Sequence, residues 1–201
     1  MLNFAYQEHV RSYYFDSRNQ DFQFPSLTQI EHADVCVIGA GFFGLSAALE
    51  LAEKGKKVIV LEGARVGFGA SGRSGGQAIN GFEEGIDEYV KQVGEDKAHK
   101  LWNMSLEAID IIDERIEKYG IQCDWKKGYA TLALNERRMD DLIEIEKESH
   151  GNFGYQNMQL WDKAKLKQHL GSDIYVGGLF DSNSGHLHPL NYCLGLAKAS
   201  P

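Results

Sequence analysis

The 201-residue chain has no apolar run as long as a bilayer-crossing helix, which needs about 20 such residues. It opens without the basic stretch and apolar core of a secretory leader. Cysteine is scarce: Cys36, Cys123 and Cys193 are scattered, odd in number and without CxxC spacing, so neither a disulfide framework nor a zinc site is expected. Cys36 lies within an apolar run and reads as a small buried hydrophobe. Positive charge is short as well. The net charge of −8 removes the electrostatic reason to bind nucleic acid or an anionic membrane surface. No internal repeat or low-complexity segment is found. These absences predict a reduced, cytoplasmic protein, with 43% hydrophobic residues available for a core.

Glycine is plentiful by comparison, at 22 residues, and two clusters of it lie in tandem between 34 and 77. The first ends the apolar run Asp34-Val35-Cys36-Val37-Ile38 and reads Gly39-Ala40-Gly41-Phe42-Phe43-Gly44, a GxGxxG pattern. Gly39 permits a tight turn, Gly41 lets backbone amides approach a pyrophosphate, and Gly44 allows a helix to pack closely on the strand. A diphosphate then sits at the positive N-terminus of that helix. The spacing predicts the helix over 43–54, with Leu45, Ala48, Leu49 and Ala52 on one face and Gly55 as its stop. A second strand over 57–61 ends at Glu62, near the position of a ribose-binding carboxylate, roughly twenty residues on. An acid there disfavours a 2′-phosphorylated cofactor, because two anions would meet.

The second cluster runs from Ala64 to Gln77. Gly67, Gly69, Gly72, Gly75 and Gly76 suit close passage along a large planar ligand. Ser71, Ser74 and Gln77 offer hydrogen bonds, while Arg65 and Arg73 can meet phosphate or carboxylate. Composition alone fits a flexible surface loop equally well. Its place directly after the acid-ended strand favours a track along whatever the nucleotide carries next.

Helices are then expected over 83–93 and 95–119. The longer one carries a stripe of Leu101, Ser105, Ala108, Ile109, Ile112, Ile116 and Tyr119, closed by Gly120. Two β-like runs, 123–125 and 129–134, are broken at Lys126-Lys127-Gly128. Asn135 caps a charged helix to about Ser149, a solvated face, and Asp162 caps another to Leu170. Residues 174–180 are strand-like, and His188-Pro189 opens a last helix. The fold class is α/β, a Rossmann-like βαβ unit with an inserted α+β domain. The expected divisions are an N-terminal extension over 1–29, the first part of the nucleotide domain over 30–120, a substrate-domain segment over 121–184, and a returning helix over 185–201. A doubly wound sheet needs more parallel strands than two, so the chain is expected to be truncated.

His186 and His188 suit caps and turn hydrogen bonds better than a metal, and no metal is expected. Trp102, Trp125 and Trp161 read as packing residues. Cys193 lies inside the last helix and is assigned no chemical role.

The run from Asp34 to Gly41, then Leu61-Glu62, then Arg65 to Gln77, resembles the FAD-dependent amine and amino-acid oxidases, the group of D-amino-acid oxidase, sarcosine oxidase and glycine oxidase. Ser12-Tyr13-Tyr14, Ile121-Gln122-Cys123-Asp124 and Gly185-His186-Leu187-His188-Pro189-Leu190-Asn191 carry a closer similarity to the gamma-glutamylputrescine oxidases. Ser74 stands where Asn is frequent, and Phe42-Phe43 replaces a more common Tyr-Thr pair. The resemblance implies an FAD domain interrupted by a substrate domain with an antiparallel sheet, in proteins about twice as long. It implies that Gly39, Gly41 and Gly44 hold the diphosphate and Glu62 the adenosine ribose. Ala70, Ser71, Arg73, Gly75, Gly76 and Gln77 would line the path to the isoalloxazine ring, with Arg73 the charge nearest it.

The implied reaction oxidises a primary or secondary amine, gamma-glutamylputrescine above all, to an imine and then an aldehyde, with oxygen reduced to hydrogen peroxide. No residue of the sequence is named as a catalytic base. Two other readings stay open: an NAD-dependent Rossmann dehydrogenase, and an inactive truncated nucleotide-binding module.

Overall fold

The computed structural model describes residues 8–82 and 86–199. After a four-residue helix, α1 (Tyr13–Asp16), come β1 (Val35–Ile38), α2 (Phe42–Glu53) and β2 (Val58–Leu61). A 3-10 turn at Ala70–Gly72 and the short β3 (Gln77–Ala78) lead to α3 (Ile86–Val93) and the 25-residue α4 (Glu95–Tyr119). Then follow β4 (Lys126–Ala133), α5 (Glu136–Asn152), β5 (Met158–Asp162), α6 (Lys163–Lys167), β6 (Gly177–His186) and α7 (Pro189–Ala199). Residues 83–85, where the helix before α4 was expected to start, lie outside the described residues. No helix among the described residues is long and apolar enough to cross a membrane.

The described residues divide into two compact units, and the division falls inside α4, between Ile112 and Asp113. The first unit draws on the described residues of 1–77, 113–125 and 187–201. In it β1 and β2 pair in parallel, Val35 opposite Val58 through Ile38 opposite Leu61. A parallel pair needs a crossover, and α2 supplies it. Leu45, Ala48 and Leu49 bury its inner face. At its end Gly55 takes φ +78°, and the Lys56 N–H reaches back to Leu51 O, closing the helix with a left-handed glycine. The other helix of this core is α7, buried along its whole length from Pro189 to Ala197. Gly195 is required there, because a methyl group on it would lie 2.2 Å from Cγ2 of Ile121. Arg115 of α4 is buried in the same unit and reaches Ser46 O at 3.3 Å, a role that the apolar stripe did not reveal.

Two expectations fail here. Cys36 is exposed rather than buried. β1 alternates, so Val35 and Val37 turn inward while Cys36 and Ile38 point to a face that no described residue covers. Ala108 is also exposed, since the helical face that packs is set by Trp102, Ser105 and Ile109.

The second unit takes the described residues of 78–112 and 126–186. Its sheet has the order β3-β6-β4, with β5 also paired to β6, and β4 and β5 run antiparallel to β6. Neither strand of the β4–β6 pair has the expected bounds. Lys126-Lys127-Gly128 does not break a strand but opens one, and 123–125 is not a strand. β6 starts at Gly177 rather than 174 and runs on through Asp181-Ser182-Asn183-Ser184-Gly185, a composition that reads as a turn. The reason is a bulge. Lys127 pairs with Gly185 and Tyr129 with Asp181, so Gly128 alone stands opposite three residues of β6. Gly128 takes φ +106°, and the Asp181 carboxylate accepts from Asn183 N–H at 2.9 Å and Ser184 Oγ at 2.6 Å, tying the extra residues down. The Tyr155 hydroxyl donates to the same carboxylate at 2.7 Å.

Asn135 and Asp162 cap α5 and α6 as their positions predict, each side chain accepting from the amide three residues on. α6 stops at Lys167, short of the expected Leu170. Trp102 and Trp161 are buried packing residues. The core beneath the sheet consists of Ala133, Leu142 and Leu179, with Met139, Met158, Leu160 and Val176 against it. Leu142 is 2% exposed, so Leu142→Ala should lower unfolding stability by about 3 kcal/mol in urea titration. A loss under about 1 kcal/mol would show that this core is loosely packed.

Candidate cofactor site

Both glycine loops, Glu62 and α7 lie in the first unit. The first glycine loop leaves β1 with Gly39 at φ +102°, and its N–H pairs with Leu61 O at 2.7 Å. A methyl group on Gly44 would lie 2.0 Å from Gly39 O, so only glycine lets α2 start this close to the strand. Leu45 is the first residue of α2 whose N–H finds a helical acceptor, Gly41 O at 3.0 Å. Of the preceding amides, that of Phe42 donates to Ser71 Oγ at 3.1 Å. Among the described residues no acceptor meets those of Phe43 and Gly44. They are donors at the positive end of a 12-residue helix, a setting that suits a phosphate.

The second loop repeats the geometry of the first. Gly67-Phe68-Gly69-Ala70-Ser71-Gly72 is itself a GxGxxG, a spacing that was present in the sequence and not read. Gly67 takes φ +69°, and a methyl group on Gly72 would lie 2.1 Å from Gly67 O. The helix after this turn is only the 3-10 segment Ala70–Gly72. The two loops are joined: Gly67 N–H donates to Ala40 O at 2.9 Å, and Ser71 bridges to α2 as described. Ser71 Oγ thus accepts from the first helix, and its own O–H stays available as a donor.

Glu62 joins the loops from the end of β2. Its Oε2 accepts from Ala40 N–H at 2.7 Å and its Oε1 from Ala64 N–H at 3.0 Å. The carboxylate is exposed, so its remaining lone pairs stay open to a hydroxyl-bearing ligand.

α7 forms the floor of the second loop. A methyl group on Gly67 would lie 3.1 Å from Cβ of Cys193 and from Cδ1 of Leu190. Gly76, at φ +68°, meets the turn before α7: its O accepts from Leu187 N–H at 2.8 Å, and a methyl group on it would lie 2.0 Å from Leu187 O. Gly69 and Gly75 differ from these. A side chain on Gly69 would meet nothing within 4 Å, and one on Gly75 only the tip of Gln77 at 4.0 Å. Packing gives no reason for glycine at either place, so the room they leave is open to a ligand.

Of the charged residues, Arg73 is exposed and its Nε donates to Gly69 O at 3.1 Å, which holds it along the loop. Arg65 is instead committed to Glu8 at 2.6 Å. Gln77 and Ala70 are exposed on the same loop. Cys193 is fully buried, and burial pushes its thiol up to about 12, which denies it the thiolate that a covalent attachment needs. No cluster of metal-ligating side chains is present among the described residues.

Residues 34–200 match the family model of FAD dependent oxidoreductases. The chain belongs to that family. Within the FAD dependent oxidoreductases it is 96% identical over 199 residues to a probable oxidoreductase OrdL of Haemophilus influenzae, covering 99% of this chain and 46% of that protein. It is 43% identical to the gamma-glutamylputrescine oxidoreductase of Escherichia coli, covering 96% of this chain and 45% of that one. The chain therefore spans less than half the length of these relatives. Among solved structures, the L-amino acid deaminase from Proteus myxofaciens superposes with a TM-score of 0.72 at 20% identity, over 91% of this chain and 39% of that one. FAD is the cofactor of the family, and the cradle fits it: free helix amides for a diphosphate, a carboxylate beside them, and glycines that leave space beyond.

The two glycine classes predict different outcomes. Gly76→Ala should destabilise the fold by about 2 kcal/mol or more, because positive φ and a carbonyl both oppose the methyl group. Gly75→Ala should leave the urea midpoint nearly unchanged and weaken FAD binding. Equal midpoint losses in both variants would contradict this division.

Proposed function

We propose that this protein oxidises a primary or secondary amine of the gamma-glutamylputrescine type, with FAD as the first electron acceptor and oxygen as the last. The observation that carries the cofactor half is the pair of joined GxGxxG turns with Glu62 between them. The substrate half rests on the 43% identity to gamma-glutamylputrescine oxidoreductase. In this reading the amides of Phe43 and Gly44 and the turn at Gly39 and Gly41 hold the diphosphate. Glu62 accepts from the adenosine ribose. Ala70, Ser71, Arg73, Gly75, Gly76 and Gln77 guide the rest of the cofactor, with the Arg73 guanidinium nearest the ring.

When bound, FAD supplies a two-electron acceptor. The amine loses two electrons and two protons and becomes an imine, which water converts to an aldehyde and a released amine or ammonia. Oxygen takes up the two electrons and two protons and leaves as hydrogen peroxide. This chain's residues orient the cofactor, and no side chain of the chain is assigned as a base. An NAD-linked dehydrogenase would also use the first loop and Glu62. It gives no purpose to the open glycines Gly69 and Gly75, which favour a cofactor that extends along the second loop.

The experiment is a spectrum and a peroxide assay on the purified protein at the full length of its relatives. We expect the visible flavin bands, their bleaching by gamma-glutamylputrescine without air, and peroxide release when air returns. Glu62→Gln, which replaces an anionic acceptor with a neutral amide, should weaken FAD binding about tenfold. Reduction of added NAD by the same amine, with no flavin bands in a folded sample, would overturn the reading.

A further inference from the structure

Leu187, His188 and Pro189 form the turn against which the second glycine loop closes. His188 is buried, at 6% exposure, and is bonded on three sides. Its backbone N–H donates to Cys123 O at 2.7 Å. Its Nδ1 accepts from Asn191 N–H at 3.1 Å, so the imidazole is the N-terminal cap of α7. A ring nitrogen that accepts an N–H carries no proton. The ring proton is therefore on Nε2, which lies 3.1 Å from Ser17 Oγ and donates to it. Ser17 Oγ passes the chain on to Tyr13 O. Tyr14 packs edge-on against the imidazole, ring centroids 5.2 Å apart. The same helix end is clasped a second time, where Asn19 N–H donates to Asn191 Oδ1 at 3.0 Å and Asn19 Nδ2 to Gln122 O at 2.6 Å.

We propose that His188 is a positioning residue for the second glycine loop, and that its neutral form is the one that holds the loop in place. The proposal rests on the cofactor reading of that loop for its functional meaning, but its geometry does not. The cap fixes the first turn of α7, Leu187 N–H holds Gly76 O, Leu190 and Cys193 pack under Gly67, and Leu190 also packs under Gly72. A proton added to Nδ1 leaves it no lone pair for Asn191 N–H. The cap opens, and a buried positive charge stands at the positive end of a helix. Burial holds the imidazole below its usual range. Asp124 is the charge that opposes this, and Tyr13 and Tyr14 are the titratable rings packed on it. The sign follows. The unfolded chain takes up the proton first, so the stabilisation is complete above about pH 6.5 and is lost as pH falls from there through the lowered native value.

The test is hydrogen–deuterium exchange of the chain at pH 7.5 and 5.5, corrected for intrinsic rates, with no cofactor added. Three proteins are compared: the unaltered chain, His188→Asn, which can cap but does not titrate, and His188→Ala, which can do neither. In the unaltered chain the protection of the Leu187 and Asn191 amides should fall about fivefold at the lower pH, equivalent to the loss of one helix cap. H188N should hold its protection at both values, and H188A should lack it at both. The same pH profile in the unaltered chain and H188N would overturn the proposal, as would full protection in H188A. Because no FAD is involved, failure here is separable from failure of the amine-oxidase reading, which would appear as absent flavin bands.

Discussion

The site depends on one steric contact made twice. In each loop a glycine with positive φ turns its carbonyl toward a second glycine five residues on, close enough that a methyl group would lie 2.0 Å away in the first and 2.1 Å in the second. No other residue type can stand at that second position without moving backbone. In the first loop the contact seats α2 on β1 and aims its free amides outward. In the second it curls the chain back beneath the first, where Ser71 and Gly67 tie the two together. Hydrogen bonds then fix what sterics permit. Each contributes only about 1 kcal/mol net, so the conformation is set by what cannot fit more than by what attracts.

The second constraint is long in sequence. α7 begins more than a hundred residues after the loop that it supports, yet it is the most completely buried element of the first unit. A loop of many glycines has a high entropy when free, of order 1–2 kcal/mol per residue fixed. The backing by Leu190, Cys193 and the Leu187–Pro189 turn offsets that cost. This explains why a segment that composition would leave as a mobile surface loop holds one defined conformation.

The βαβ unit was legible because each of its signals is local: an apolar run, a turn glycine, a helical face and a stop. The caps at Asn135, Asp162 and the turn before Pro189 were legible for the same reason. The second half of β6 was not, because Asp181-Ser182-Asn183-Ser184-Gly185 has the chemistry of a turn and becomes strand only through a bulge opposite Gly128, a partner some fifty residues away. Cys36 was misread because apolar neighbours predict a strand but not which face of it is covered. Of the two loops, the glycine turns and the place of Glu62 just after β2 were legible, and the part missed was the repeat of GxGxxG at Gly67–Gly72. The tie of Ser71 to α2 and the cap by His188 are contacts between distant segments, which spacing alone does not reveal.

The central claim is that the two loops form one continuous cradle for FAD. Amide exchange of the protein with and without FAD, and with NAD in its place, tests it most directly. The account predicts that FAD protects both 39–44 and 69–77, while NAD protects neither stretch fully. Protection by FAD confined to 39–44, or equal protection by NAD across both, would contradict it.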